Sequence, residues 1–205
     1  MINFIFPPLC VHCGTEGAWL CNTAQQELKR ENVITNPIDI KHVDCVLVRG
    51  SYDCAPLAQL VQKLKYHYWT GVSDTLEAVL QPLVAELHVP KDTVIVPVPL
   101  HARRQRERGF NQSLIISKAL SRLTGLRVAN ILQRQRYTTP QAHLSAVERT
   151  TNIIGAFSQG AEKKWPKSVL LVDDVITTGS TISECAGVLR QNGVQKITAI
   201  AIAKG

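Results

Sequence analysis

Apolar positions along this 205-residue chain switch between two spacings. Within residues 56–65, Leu57, Leu60, Val61 and Leu64 fall on one helical face. Leu76, Val79, Leu80, Leu83, Val84 and Leu87 repeat that spacing, with Pro82 as a break or kink. Residues 93–98 are β-rich and apolar, the length of a buried strand. Asn111 stands where a cap belongs, ahead of a helix that carries Leu114, Ile115, Ala119, Leu120 and Leu123 and stops at Gly125. Residues 126–132 read as another short strand, and residues 133–157 as a long polar excursion returning through a strand near 153–157. The chain closes with a strand from Val169, a helix over 182–191 ended by Gly193, and a strand over 197–203. Alternating strands and helices predict an α/β fold, with a mostly parallel sheet flanked by helices.

The stretch from Val169 to Thr181 carries the most chemistry. Four apolar residues, Val169, Leu170, Leu171 and Val172, suit a strand covered on both faces. Asp173 and Asp174 follow, then Thr177, Thr178, Gly179, Ser180 and Thr181, and Thr181 with Glu184 matches a capping box at a helix start. Ligands of open α/β sheets bind at strand carboxyl ends. Free N–H groups at a helix start, joined by hydroxyls, make a phosphate cradle, and Gly179 lets the backbone come close. Adjacent acids would repel a phosphate, so they suit sugar hydroxyls or Mg²⁺. Phosphate on one side and polyol on the other describes a ribose 5-phosphate; the plainer alternative is a helix cap beside two solvated aspartates.

This run resembles the motif with which type I phosphoribosyltransferases bind 5-phosphoribosyl 1-pyrophosphate (PRPP). The similarity extends through Val96-Pro97-Val98-Pro99-Leu100-His101, Arg108-Gly109-Phe110-Asn111-Gln112, Gln141, Leu144-Ser145, Glu148-Arg149, Asn152 and Gly155-Ala156-Phe157. It also takes in Phe6-Pro7-Pro8, Cys10-x-x-Cys13-Gly14, Tyr52 and Lys65-Tyr66, and over nearly the whole chain it is similar to the ComF family of competence-associated proteins. The resemblance implies a type I phosphoribosyltransferase fold over residues 41–205, with a small Cys-containing, zinc-knuckle-like segment over residues 1–40. It also implies PRPP bound with Mg²⁺ and a link to DNA-uptake proteins and single-stranded DNA, with either transfer of the 5-phosphoribosyl group to a nitrogen acceptor or, as the alternative, a non-catalytic PRPP-responsive accessory protein that binds single-stranded DNA. Asp173 and Asp174 are then the catalytic pair, and residues 177–181 hold the 5-phosphate.

Charge changes the picture locally more than globally. The net charge is +7, and Arg103, Arg104, Arg106 and Arg108 crowd one short stretch against Glu107. Guanidinium forks suit a pyrophosphate, so Arg104, Arg108 and Gly109 are assigned to PRPP; a solvated basic loop or a nucleic-acid patch is the alternative. Residues 133–152 occupy the position of a loop that closes over PRPP in related transferases. There Arg149 serves either the leaving pyrophosphate or an ion pair with Glu148, and Arg134, Gln141 and Asn152 match family positions.

Cys10, Cys13 and Cys21 form a zinc-knuckle pattern that lacks its fourth cysteine, because Ala24 stands where the family commonly has one. Either Zn²⁺ takes a further ligand from His12, His42, Cys45 or a second molecule, or the element is a decayed knuckle without metal. Cys45, Cys54 and Cys185 read as buried thiols. Lys63, Lys65 and Trp69 mix cations with a ring at a helix end, which suits DNA contacts, while the plainer reading packs the rings and leaves the lysines in water. With 45% apolar and 19% charged residues the chain is not disordered. Its apolar N-terminal run has no basic lead-in and ends at Pro7-Pro8. A cytoplasmic protein without membrane insertion is expected.

Overall fold

A computed structural model of the chain describes residues 8–66, 72–137, 153–160, 162 and 164–205. In chain order the elements are α1 (Asn22–Arg30), β1 (Ile34–Thr35), β2 (Cys45–Ser51), α2 (Ala55–Tyr66), α3 (Val72–Ala85) and β3 (Val94–Pro97). There follow α4 (Ala102–Arg108), α5 (Gln112–Thr124), β4 (Leu132–Arg134), β5 (Phe157–Gln159), β6 (Ser168–Val172), β7 (Val175–Ile176), α6 (Ser180–Gln191) and β8 (Lys196–Lys204). Strands β2, β8, β6 and β3 lie side by side and parallel, β1 joins the β2 edge antiparallel, and β7 pairs with the far end of β8. The expected mixed α/β architecture, a mainly parallel sheet flanked by helices with a Cys-rich N-terminal cluster, is the one found.

Strand alternation divides the core between the two sheet faces. Leu170, Val172, Ile200 and Ile202 pack with Leu57, Leu60 and Leu64 of α2, Leu76 and Leu80 of α3, and Ile116 and Leu120 of α5. Cys10, Val11, Ala24 and Leu28 belong to the same cluster, so the N-terminal segment shares its core with the sheet. Val169, Leu171, Ala199 and Ala201 face Ile182, Cys185 and Leu189 of α6, together with Ile131 and Phe157 beside β4 and β5. β6 is buried along its whole length, as its four apolar residues imply.

Three local expectations are corrected. Residues 126–132 are not a continuous strand: Val128 makes one parallel bridge to Ile95, and regular pairing starts only at Leu132, where β4 meets β5 antiparallel. The excursion accordingly returns through Phe157, not through Ile153. The capping box at Thr181 does not form, because α6 begins earlier, with Gly179 at its N-cap in the left-handed region (φ 77°) and no side-chain cap bond. Glu184 instead accepts from Gly155 N at 3.2 Å. The arginine stretch is helix α4, not a loop: His101 Nδ1 accepts from Arg103 N, and Gly109 at φ 82° ends the helix. Asn111 caps α5 and Gly125 stops it, as the sequence implies.

Arg49 ties the N-terminal segment to the sheet. It stands inside β2, 3% exposed, and donates from Nε to Val79 O (2.9 Å), from Nη1 to Glu31 O (3.0 Å) and from Nη2 to Leu28 O (2.6 Å). Leu28 and Glu31 lie at the end of α1, where Leu28 O also accepts from Glu31 N at 3.3 Å. Val79 lies within α3, which runs on past Pro82 to Ala85, so Pro82 does not end the helix as a break would. One guanidinium therefore joins β2 to carbonyls at the end of α1 and within α3. Arg49→Met should lower the free energy of unfolding by about 2–4 kcal/mol, because it removes three hydrogen bonds donated by a buried charged group. Urea denaturation measures this, and an unchanged midpoint would remove Arg49 from that role.

Candidate functional site

The site lies where β6 outruns β3. Val172 pairs with both Pro97 and Ile200, after which only β8 continues beside the chain. Asp173 N still donates to Ile200 O at 2.9 Å, and Asp174 O accepts from Ile202 N at 3.1 Å. The two acids are thus held by sheet bonds while their side chains are released from sheet packing. Asp173 Oδ1 accepts from Ser113 Oγ (3.0 Å) and from Asp174 N (2.9 Å). Asp174 Oδ1 accepts from Val175 N at 2.8 Å, and its Oδ2 lies 3.2 Å from Lys65 Nζ.

Local sequence explains the donors. Asn111 gives Nδ2 to Val98 O (3.0 Å) and takes Ser113 N on Oδ1 (3.0 Å). The end of β3 and the start of α5 are fixed together, and Ser113 is carried to Asp173. Across the acids, Thr178 Oγ1 and Ser180 Oγ are 2.8 Å apart, and Ser183 N closes the first turn of α6 on Gly179 O. A Cβ at Gly179 would stand 2.8 Å from Ile40, so close approach as well as positive φ requires glycine there.

A cavity of about 320 Å³ gathers these groups. It is lined by Asp173, Asp174, Thr177, Thr178, Gly179, Ser180 and Thr181, together with Arg104, Arg108, Arg134, Lys65 and Ser113. On α4 the half-buried Arg104 and Arg108, four residues apart, reach this cavity, whereas Arg103 and Arg106 are exposed. Arg108 Nη1 donates to Gln112 Oε1 at 2.7 Å, and the Arg134 guanidinium lies 5.4 Å from the Phe157 ring centre.

Burial pushes the Asp173 carboxyl up to about 7, and the neighbouring Asp174 charge pushes in the same direction. The hydrogen bonds from Asp174 N and Ser113, and the Lys65 charge, only partly oppose this. Burial also lowers the affinity of Arg134 for its proton, with Arg104 adding repulsion. The donor set suits an anionic polyol: hydroxyls and helix-start N–H groups, three guanidiniums, and carboxylates able to accept hydroxyl protons or hold a hard divalent cation.

Of the residues assigned from sequence, Asp173, Asp174, residues 177–181, Arg104 and Arg108 come together in this cavity. Gly109 caps α4 at its edge. Arg149 and Trp69 lie outside the described residues, as do Gln141 and Asn152. Lys63 is half-buried on the last turn of α2, and Lys65, assigned to DNA contacts from sequence, lines the cavity. Ser113 was not singled out from sequence, although its position two residues after the capping Asn111 is a usable signal.

Cys10, Cys13 and Cys21 also come together, with sulfurs all within 4.8 Å of one another. A hairpin holds them: Gly14 N donates to Cys10 O, Cys10 N to Thr15 O, and Leu9 bridges Glu16. Cys13 Sγ is 3.6 Å from Cys21 Sγ, close to the roughly 3.8 Å separation set by Zn–S bonds of about 2.3 Å in a tetrahedron. The Thr15 hydroxyl pulls the Cys13 thiol down to about 7. The cluster can therefore hold a metal ion such as zinc. Among the described residues no fourth ligand joins it: His12 faces Glu27 at 3.8 Å, and His42 packs against Gly187 at α6.

Fold and site together define an α/β protein with a cavity lined by acids, hydroxyls and guanidiniums at its strand ends and a three-cysteine hairpin at its N-terminal side. No family model matches the chain. It is 35% identical to competence protein F of Haemophilus influenzae over 96% of this chain and 85% of that protein. It is also 35% identical to the DNA utilization protein YhgH of Escherichia coli K12, over 69% of this chain and 64% of that protein. With competence protein ComFC of Bacillus subtilis it shares 24% identity over 67% of this chain and 55% of that protein. The chain belongs to the ComF family. No helix among the described residues is long and apolar enough to cross a membrane.

Two outcomes follow from these geometries. The folded value for Asp173 (about 7) lies above that of an unfolded chain (about 3.9), so the native state binds this proton more tightly. The resulting stabilisation is complete below about pH 4 and is lost as pH rises through about 7. Asp173→Asn keeps the Oδ1 acceptor, so it should gain melting temperature relative to the parent between about pH 5 and pH 8; a pH-independent difference would contradict the shift. For the cysteines, protein purified without chelator should carry about one zinc per chain, and Cys13→Ser should release it. Metal analysis finding none would favour a decayed knuckle.

Proposed function

We propose that the cavity binds PRPP with Mg²⁺, that the chain transfers the 5-phosphoribosyl group to a nitrogen acceptor, and that it acts in DNA uptake. The observation that carries this reading is the meeting of acid pair, hydroxyl-rich helix start and arginines in one cavity. The names of its relatives, for competence and for DNA utilization, support the association with DNA uptake. The parallel sheet with its acids at a strand end supports a type I phosphoribosyltransferase fold.

In this reading the start of α6 and the hydroxyls of Thr177, Thr178, Ser180 and Thr181 bind the 5-phosphate. Asp173 and Asp174 accept from the ribose hydroxyls, and Arg104, Arg108 and Arg134 bind pyrophosphate. The acid pair would hold Mg²⁺, which when bound offsets charge on the leaving group. The bond from ribose C1 to the pyrophosphate oxygen breaks with its electron pair leaving on pyrophosphate. The acceptor nitrogen bonds to C1 and loses its proton. Rate comes from positioning and from arginine electrostatics at the departing anion.

A second reading, a PRPP-responsive accessory protein without turnover that binds single-stranded DNA, is favoured by one surface. Tyr137 is exposed, with the Arg103 guanidinium 4.8 Å from its ring centre and the His101 ring 5.3 Å away edge-on. Such a ring beside cations suits base stacking.

Calorimetry should show PRPP binding that requires Mg²⁺ and weakens about 10–100-fold in Asp174→Asn, the loss expected for hydrogen bonds to a charged group. Equal affinities would sink the role of the pair. Incubation with Mg²⁺ and a panel of bases and amines then separates the readings: acceptor-dependent pyrophosphate release indicates transfer. Binding without release, accompanied by a salt-sensitive gel shift of single-stranded DNA, indicates the accessory role.

A further inference from the structure

Lys65 stands on the last turn of α2, a helix clamped to the sheet by Leu57, Leu60, Val61 and Leu64, each at most 1% exposed. Its ammonium is 3.2 Å from Asp174 Oδ2, on a carboxyl only 8% exposed. The approach is an ion pair without hydrogen-bond alignment, because buried Oδ2 receives no well-directed donor among the described residues. Oδ1 is already engaged by Val175 N. Asp174 thus has one acceptor position covered by a cation yet not satisfied by a hydrogen bond. A lysine on a flexible four-carbon stem is suited to leave such a contact, and its charge will follow the strongest nearby anion.

Resting on the PRPP reading above, we infer that Lys65 is a binding residue that changes partner: it neutralises Asp174 in the ligand-free chain and passes to an anionic oxygen of the phosphorylated ligand when that ligand arrives. The exchange frees Asp174 Oδ2 for a ribose hydroxyl or a divalent cation, which align where the ammonium does not. Lys65 consequently opposes a divalent cation binding alone and favours the cation with its polyanion. The acid pair is kept from loading metal without substrate.

Two measurements with opposite signs test this. Mn²⁺ added to the ligand-free chain should bind several-fold more tightly to Lys65→Met than to the parent, read by paramagnetic broadening or electron spin resonance. PRPP at saturating Mg²⁺ should bind about tenfold more weakly to Lys65→Met, with most of the affinity restored in Lys65→Arg. A purely structural role would weaken both ligands together, and that result overturns the inference. Unchanged Mn²⁺ affinity overturns the counter-ion half whatever PRPP does, and unchanged PRPP affinity overturns the transfer. If the parent itself fails to bind PRPP, the proposed function falls, while the Mn²⁺ comparison still decides whether Lys65 guards Asp174.

Discussion

Two carboxylates on consecutive residues, at the end of a strand buried on both faces, are the constraint to which the rest of the site answers. Like charges this close, withdrawn from water, cannot both ionise without compensation. The chain compensates them unequally. Asp173 receives neutral donors, the Ser113 hydroxyl and the Asp174 amide, while Asp174 receives a full positive charge from Lys65. The proton therefore resides preferentially on Asp173, as its upward shift to about 7 reflects. Hydroxyl donors or a divalent cation brought by a ligand would offset this mutual repulsion.

The arginines answer the same constraint from another side. Helix α4 has seven residues and none is buried, so hydrophobic packing does not hold it. His101 and Gly109 fix its two ends, and Arg108 bonds it to Gln112 at the start of α5. Such a scaffold can present side chains on two faces at once. Arg104 and Arg108 turn toward the acids, and Arg103 turns out beneath Tyr137. Whether cavity and outer surface serve one ligand or two is therefore a question about a single turn of helix.

What was legible in the sequence follows from which forces leave a periodic trace. β6, α2, α3 and α5 bury apolar faces, and Asn111 and Gly125 mark the ends of α5, so their spacing predicts them well. Helix α4 was invisible to periodicity because it buries nothing, and its cap is a histidine. β2 escaped the reading because Arg49 breaks its apolar run, a charge whose burial is made tolerable by three carbonyls from elements distant in sequence. The early start of α6 was hidden by the more usual capping residues after Gly179. The chemistry of 173–181 was readable because those residues are consecutive. Lys65 was not, since its approach to Asp174 depends on how α2 sits across the sheet, which no local spacing encodes.

The three-cysteine hairpin differs physically from a small domain that folds only around its metal. Cys10 and Val11 are buried in the main core, Ala24 and Leu28 pack there from α1, and Arg49 binds the end of that helix. Apolar burial and one guanidinium therefore seat this segment independently of thiolate ligation. A metal held by the three sulfurs would then have chiefly the hairpin tip to organise. The same packing runs from Cys10 through α1 to Leu57 and Leu60 of α2, the helix that carries Lys65. The N-terminal segment is therefore joined to the helix that carries Lys65 by shared apolar packing.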